Sequence, residues 1–159
     1  MLRIAPPSGE SDRAWLANLW RDEWAGETMV SRGRLLALAD LHALIAWDGD
    51  TRVGAATYDL QDGACELTSL NASPAGRGIG TALLAAVEAA AREAGCRRLR
   101  IITTNDNVDA LRFYQRRGYR LVAVYPDSLA EARRLKPTIP AIGAHGIPLR
   151  DEIELEKGL

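Results

Sequence analysis

The sequence predicts a mixed α/β domain of three layers with a central β-sheet, and two observations favour this class. Strand and helix patterns alternate from residue 64 to residue 125, which implies a crossover unit with at least one parallel strand pair. The 159 residues, 47% hydrophobic and 26% charged, have the size and composition of one globular domain. We therefore expect a single domain spanning residues 1–159.

The first half of the chain predicts one helix and four strands. A short strand at 2–5 precedes a turn rich in proline and glycine, and a helix follows from about Ser11. The apolar residues of that helix recur at helical spacing. Alternating apolar residues between short turns predict three further strands, at 41–47, 53–60 and 64–71.

The second half predicts three helices and three strands. A helix that begins near Gly80 ends near Gly95, a residue type favoured just after a helix C-terminus. The remaining elements are a strand at 98–104, helices at 107–117 and 127–135, a strand at 119–125, and an edge-like strand at 153–155. Between 136 and 150, prolines and glycines interrupt any periodicity, so we expect a long loop there.

Charge, cysteine usage and hydropathy exclude several classes of protein. The net charge of −1 gives no general attraction to nucleic acid or to a membrane surface. Cys65 and Cys96 stand in apolar runs without metal-ligand spacing, so we expect reduced core thiols and no metal. No signal peptide or membrane span is apparent, and a cytoplasmic location is expected.

A glycine-rich turn between a strand and a helix predicts an anion site. Glycines at positions 76, 78 and 80 let a phosphate approach the backbone, and Arg77 adds a positive charge. The sequence lacks the lysine of a Walker loop, and the third glycine comes one position too early for a dinucleotide fingerprint. A tight connection without any ligand is the alternative.

Two motifs in this region resemble those of the GNAT superfamily of N-acetyltransferases. The segment from Cys65 to Gly80 resembles the family's acyl-CoA motif, Q/R-x-x-G-x-G/A, although Ala75 replaces the Gln or Arg. The segment from Asn107 to Tyr119 is similar to the family's second signature, N-x-x-A-x-x-x-Y-x-x-x-G-F. The resemblance implies a GNAT-like fold with a partly splayed sheet and acetyl-CoA as co-substrate.

The resemblance also implies which residues bind acetyl-CoA. The pantetheine arm would bond the backbone near Leu70, Asn71 and Ala72, and the pyrophosphate would lie on the amides of Arg77, Gly78, Ile79, Gly80 and Thr81. Asn107 matches an asparagine that contacts CoA in the family. It is equally suited to cap the helix that follows.

Two residues are candidates for acid–base catalysis by direct transfer in a ternary complex. Tyr114 is the candidate general acid for the departing thiolate, and packing beside Phe113 is the alternative. Glu66 is the candidate base for the acceptor amine, and strand alternation predicts that it shares a face with Thr68 and Leu70. A buried ion pair with an arginine is the alternative for Glu66.

The acceptor is expected to be a small-molecule or peptide amine, which the sequence does not identify. Tryptophans are candidates to line its pocket, namely Trp15, Trp20, Trp24 and Trp47. The loop at 136–150 is expected to border that pocket, with plain decoration or a dimer contact as alternatives; a homodimer is possible. The competing function is a non-catalytic acyl-CoA or nucleotide-binding regulatory module, which needs neither Tyr114 nor Glu66.

Overall fold

One seven-stranded mixed sheet runs through the protein, and four helices flank it. The computed structural model describes residues 1–159, with strand order β1-β4-β5-β6-β7-β9-β8 and a separate β2–β3 hairpin. In chain order the elements are β1 (Leu2–Ala5), α1 (Glu10–Trp24), β2 (Thr28–Ser31), β3 (Arg34–Ala37), β4 (His42–Asp48), β5 (Thr51–Gln61), β6 (Ala64–Ala72), α2 (Ile79–Glu93), β7 (Arg98–Thr104), α3 (Val108–Gln115), β8 (Arg120–Tyr125), α4 (Ser128–Leu135) and β9 (Glu152–Gly158). The predicted α/β class is confirmed.

The sheet opens between its only two parallel neighbours, β6 and β7. They pair over Ala64–Leu67 and Arg98–Ile101 and then separate, although β6 continues to Ala72 and β7 to Thr104. Every other neighbouring pair in the sheet is antiparallel. The splayed sheet implied by the resemblance is therefore present.

The two faces of the sheet carry different layers. The main core lies on the face covered by α2 and α3, where Leu83 and Val87 are fully buried with Tyr114 and Leu155. On the opposite face α1 packs through Trp20 against Ala55 of β5. The β2–β3 hairpin also lies on this second face, because Ser31 bonds Glu66, whose strand neighbours Cys65 and Leu67 face the main core.

A glycine on β5, Gly54, lets the start of α2 pack tightly on the sheet. A Cβ at Gly54 would lie 2.6 Å from the carbonyl oxygen of Asn71 and 3.1 Å from a methyl group of Ile79. Gly78, just before α2, has a φ of 75°, a left-handed conformation that glycine adopts without strain. These two glycines therefore fix where α2 begins, directly beside the opening of the sheet.

Two elements differ from the sequence-based expectation. The predicted edge-like strand at 153–155 is β9, which lies inside the sheet between β7 and β8, so that β8 forms the edge. Its alternating glutamates face the second side of the sheet, where arginines and a tyrosine cover them. The β2–β3 hairpin, with four residues in each strand, was not predicted. None of the four helices has the length and apolarity needed to span a membrane.

Candidate active site

A cavity of about 640 Å³ occupies the opening between β6 and β7. Its walls come from the ends of those two strands, the turn that follows β6, the start of α2, and α3. A single residue of α1, Trp24, completes the lining. The cavity therefore lies where β6 and β7 no longer pair with each other, so that their backbone groups are available to a ligand.

The cavity passes from one face of the sheet to the other. Phe113 and Tyr114 line it from α3, on the side of the main core, whereas Trp24 belongs to α1 on the opposite face. The buried indole Nε1 of Trp24 has no hydrogen-bond partner within the protein. Residues from both faces of the sheet therefore line the same cavity.

The N-terminus of α2 presents free backbone donors to this cavity. The first intrahelical bond runs from the N–H of Ala82 to the carbonyl of Gly78 at 3.0 Å, and no side chain caps the helix. The N–H groups of Ile79, Gly80 and Thr81 are left without helical acceptors. Such N–H groups, together with the helix dipole, favour an anion, and binding of an anion here stays a prediction.

Arg117 adds a positive side chain to the same end of the cavity, and sequence reasoning did not single it out. Its guanidinium donates to the hydroxyl of Thr81 at 2.7 and 3.0 Å and lies 3.6 Å from the ring centre of Phe113. It comes just after α3, some 36 residues from Thr81. Arg117 therefore supplies a positive charge beside the α2 amides. Ala75, which stands at the Gln or Arg position of the motif, supplies none.

Tyr114 lies on the buried side of α3 and lines the cavity. Its ring packs edge-on against Phe113 and Tyr119, with ring centres 5.2 and 5.8 Å away. Burial raises the pKa of the Tyr114 phenol above its usual value. The hydroxyl is therefore protonated at neutral pH and is able to donate a proton or a hydrogen bond into the cavity.

Most of the predicted cofactor residues meet at this cavity. Those that line it, besides Tyr114, are Leu70, Ala72, Gly78, Ile79, Gly80, Thr81 and Asn107. Arg77 is exposed outside the lining, and Asn71 pairs with Ala55 on the α1 face, where its buried Oδ1 has no partner. The side chain of Asn107 accepts from the N–H of Ala110 at 3.2 Å, so it also caps α3.

Glu66 does not line the cavity, and it does not share a face with Leu70 as strand alternation predicts. The pairing of β5 with β6 shifts between Thr57 and Tyr58, which leaves Thr68 as an extra residue and reverses the alternation beyond it. The Glu66 carboxylate accepts from Ser31 at 2.5 Å and from two arginines, Arg34 and Arg100, at 3.3 and 2.9 Å. Its base role stays a prediction, and the ion-pair alternative describes its observed contacts.

Of the four candidate tryptophans, only Trp24 reaches the cavity. Trp20 is fully buried beneath α1, and Trp15 and Trp47 lie against the guanidinium of Arg52. The carbonyl of Trp24 accepts from the ammonium group of Lys136, which follows α4. This bond ties the end of α1 to the start of the long loop.

The loop at 136–150 packs against the connection between β7 and α3. Asn105 and Asp106 bond its backbone at Pro148 and Ala144, with distances of 2.9 Å in both cases. His145 lies 3.1 Å from the carboxylate of Asp109, which lines the cavity. The loop thus approaches the rim of the cavity at α3, and its predicted part in acceptor choice stays a prediction.

Neither cysteine is placed to act as a nucleophile. Cys65 and Cys96 are both free and buried, and burial raises the pKa of Cys65 to about 12. A thiol with so high a pKa is almost entirely protonated at neutral pH. No three His, Cys, Asp or Glu side chains are grouped so that they could hold a metal ion.

The splayed parallel pair, the uncapped helix beside it and the cavity that joins them are the features that the GNAT resemblance implies for an acyl-CoA-dependent transferase. Residues 11–119 match the model of the acetyltransferase (GNAT) family. The chain therefore belongs to that family, and it is an acetyltransferase.

A curated relative matches the chain along nearly its whole length, and solved structures share its fold. The chain is 38% identical over 157 residues to the uncharacterized protein YdhI of Bacillus subtilis (strain 168), with 98% of both chains covered. An acetyltransferase from Bacillus subtilis in complex with CoA has a TM-score of 0.75 at 22% identity and covers 100% of this chain and 99% of its own. A GNAT family acetyltransferase from Elizabethkingia anophelis with acetyl-CoA bound has a TM-score of 0.74 at 20% identity and covers 99% and 98%.

Proposed function

We propose that the protein transfers the acetyl group of acetyl-CoA directly to an amine in a ternary complex. The observation that carries this proposal is the cavity that crosses the sheet, with free amides of α2 at one end and Trp24 at the other. Acetyl-CoA would enter on the α3 side and the acceptor on the α1 side. The acceptor would be a small-molecule or peptide amine.

The proposed cofactor contacts use main chain more than side chains. The pyrophosphate would bind the N–H groups of Ile79, Gly80 and Thr81, with Arg117 beside them. The pantetheine arm would lie along the unpaired end of β6, at the backbone of residues 70–72, as an added strand would. Two crystal structures of similar fold hold CoA or acetyl-CoA, which supports this choice of ligand.

In the proposed reaction the neutral amine attacks the thioester carbonyl carbon, and the C–N bond forms as the carbonyl oxygen takes up negative charge. The C–S bond then breaks as the carbonyl forms again, and the departing thiolate takes a proton from the hydroxyl of Tyr114. The nitrogen, positively charged after the attack, releases one proton to give the neutral amide, and this proton restores the Tyr114 phenol. Tyr114 lines the cavity and its phenol is protonated at neutral pH, so a proton is available for this step. Direct transfer needs no enzyme thiol, which agrees with the burial of both cysteines.

The experiment combines binding and turnover. Acetyl-CoA should raise the melting temperature, whereas ATP should not do so equally. Tyr114→Phe should keep acetyl-CoA affinity within a few fold and lower kcat by roughly 10²-fold, the usual scale for a general acid. Tyr58→Phe is the matched control, because Tyr58 is equally buried but stacks on His42 outside the cavity.

Three results would overturn the proposal or one part of it. Absence of acetyl-CoA binding would remove the cofactor assignment. Binding without any acetyl transfer would favour the regulatory module, and unchanged turnover in Tyr114→Phe would leave Tyr114 a packing residue.

A further inference from the structure

The α1 face of the sheet carries buried carboxylates beside the opening. Along β9, Ile153 and Leu155 pack with the main core, so the glutamates that alternate with them face the other way. Glu152 and Glu154 are only 3% and 8% exposed. Glu154 pairs with Ile102 of β7, which lines the cavity; its own side chain is one strand away from the opening and does not line it.

Glu154 differs from its acidic neighbours in having no cationic partner. Glu152 is bound by the backbone N–H and the guanidinium of Arg32, both at 3.0 Å, and Glu66 is bound by two arginines. Glu154 accepts a single side-chain hydrogen bond, which the hydroxyl of Tyr125 donates to Oε1 at 2.7 Å. A mostly buried carboxylate that no cation contacts directly is suited to receive a positively charged group from a ligand.

The bond from Tyr125 fixes the side of the carboxylate that remains available. Its hydrogen bond to Glu154 is the main cause that raises the pKa of the Tyr125 phenol, which therefore stays protonated and donates to Oε1. The guanidinium of Arg32 stacks on the Tyr125 ring at 3.4 Å and holds that ring in place. Oε2 accepts no hydrogen bond from the protein.

We propose that Glu154 receives the ammonium group of the acceptor and removes its proton before transfer. This inference rests on the proposed function and adds a base that sequence reasoning did not identify. One N–H bond of the ammonium breaks, an O–H bond forms at Glu154, and the neutral amine then attacks the thioester carbon. The proton that Tyr114 gives to the thiolate is a separate one.

The same argument names the class of acceptor. A primary alkylamine has a pKa near 10 and is almost wholly protonated at neutral pH, so it needs both a carboxylate to bind and a base to accept the proton. A weakly basic amine such as methoxyamine is already neutral at pH 7 and needs neither. The geometry at Glu154 therefore points to a strongly basic primary alkylamine.

The test first screens primary alkylamines for release of CoA from acetyl-CoA, followed with a thiol reagent. Glu154→Gln keeps the shape and the bond from Tyr125 but cannot take a proton. We expect kcat/KM for the best alkylamine to fall roughly 10²-fold at pH 7, with less than threefold change for methoxyamine. The deficit should shrink as the pH rises towards the pKa of the alkylamine, because free amine is then supplied by the solution.

Glu156→Gln is the matched control on the same strand and face. Glu156 pairs with Arg98 at 3.2 Å and is partly exposed, and this change should leave both amines unaffected. Tyr125→Phe should lower alkylamine turnover a few fold while sparing methoxyamine, and it tests the inference even if Glu154→Gln does not fold. If Glu66→Gln lowers turnover at all, it should lower turnover of the alkylamine and of methoxyamine by the same factor.

The outcomes separate this inference from the proposed function. Equal losses for both amines in Glu154→Gln, or selective loss in Glu66→Gln instead, would overturn the assignment of Glu154. Failure of every alkylamine to accelerate CoA release, with acetyl-CoA bound, would overturn the acceptor class. Failure to bind acetyl-CoA at all would instead remove the proposed function.

Discussion

Replacing Arg117 should weaken CoA binding through its pyrophosphate. In Arg117→Gln the side chain keeps polar atoms but loses the charge that lies beside the N-terminus of α2. Hydrogen bonds to charged groups contribute roughly 1.5–3 kcal/mol, and partial exposure puts Arg117 at the lower end. A loss of about 1.4 kcal/mol corresponds to a tenfold weaker Kd.

Calorimetric titration with CoA at two or three salt concentrations measures this effect. The gap between wild type and Arg117→Gln should narrow as salt rises, because ions screen a partly exposed charge. Arg116→Gln is the matched control, since Arg116 is the exposed neighbour and does not line the cavity. Acetyl-pantetheine, which lacks the pyrophosphate, should compete equally well for both variants.

Two results would refute this reasoning. A loss in Arg117→Gln that is independent of salt and extends to acetyl-pantetheine would mean that the bonds to Thr81 and the stacking on Phe113 only support the structure. Equal weakening in Arg116→Gln would mean that the general surface charge, and no particular contact, attracts CoA.

Three further measurements test other parts of the structure. Burial raises the pKa of Cys65 from 9.0 to about 12, so the unfolded state loses that proton first and the thiol's contribution to folding disappears across this range. Between pH 8 and pH 10, the free energy of unfolding should therefore fall about 1.4 kcal/mol less in Cys65→Ala than in wild type, and parallel curves would contradict the shift. Leu83→Ala, at a fully buried position of α2, should lower the free energy of unfolding by about 3 kcal/mol in urea titration, and a loss below 1 kcal/mol would mean that the site collapses around the smaller side chain. Replacing residues 138–146 with a short Gly/Ser linker should change kcat/KM for the acceptor at least about tenfold with CoA affinity intact, whereas unchanged kinetics would place the loop outside the site.

Local signals were enough to predict most of the sheet and the cofactor end of the cavity. Apolar alternation marked β4 to β8, and the glycines at 76, 78 and 80 marked the start of α2. These features depend on residues close together in the chain. Tyr114, which lines the cavity, was also singled out by a motif of residues close together in the chain.

The failures have a common physical origin, which is dependence on distant contacts. Thr68 is an extra residue in β6, and beyond it the side chains alternate in the opposite phase. Counting by twos from Leu70 therefore placed Glu66 on the wrong face of the sheet. Arg117 lies beside α2, and Glu154 lies beside β7, only because α3 and β9 fold back there. The residues next to Arg117 and Glu154 in the chain give no sign of these contacts with distant elements.

The placement of β9 also constrains the order in which the sheet is assembled. β8 precedes β9 in the chain but reaches the sheet only through it, because β9 pairs with β7 on one side and with β8 on the other. During synthesis, β8 thus has no docking partner until residues 152–158 have left the ribosome. Until then the backbone of β8 is unpaired, and the edge of β7 is open to pairing with a neighbouring chain.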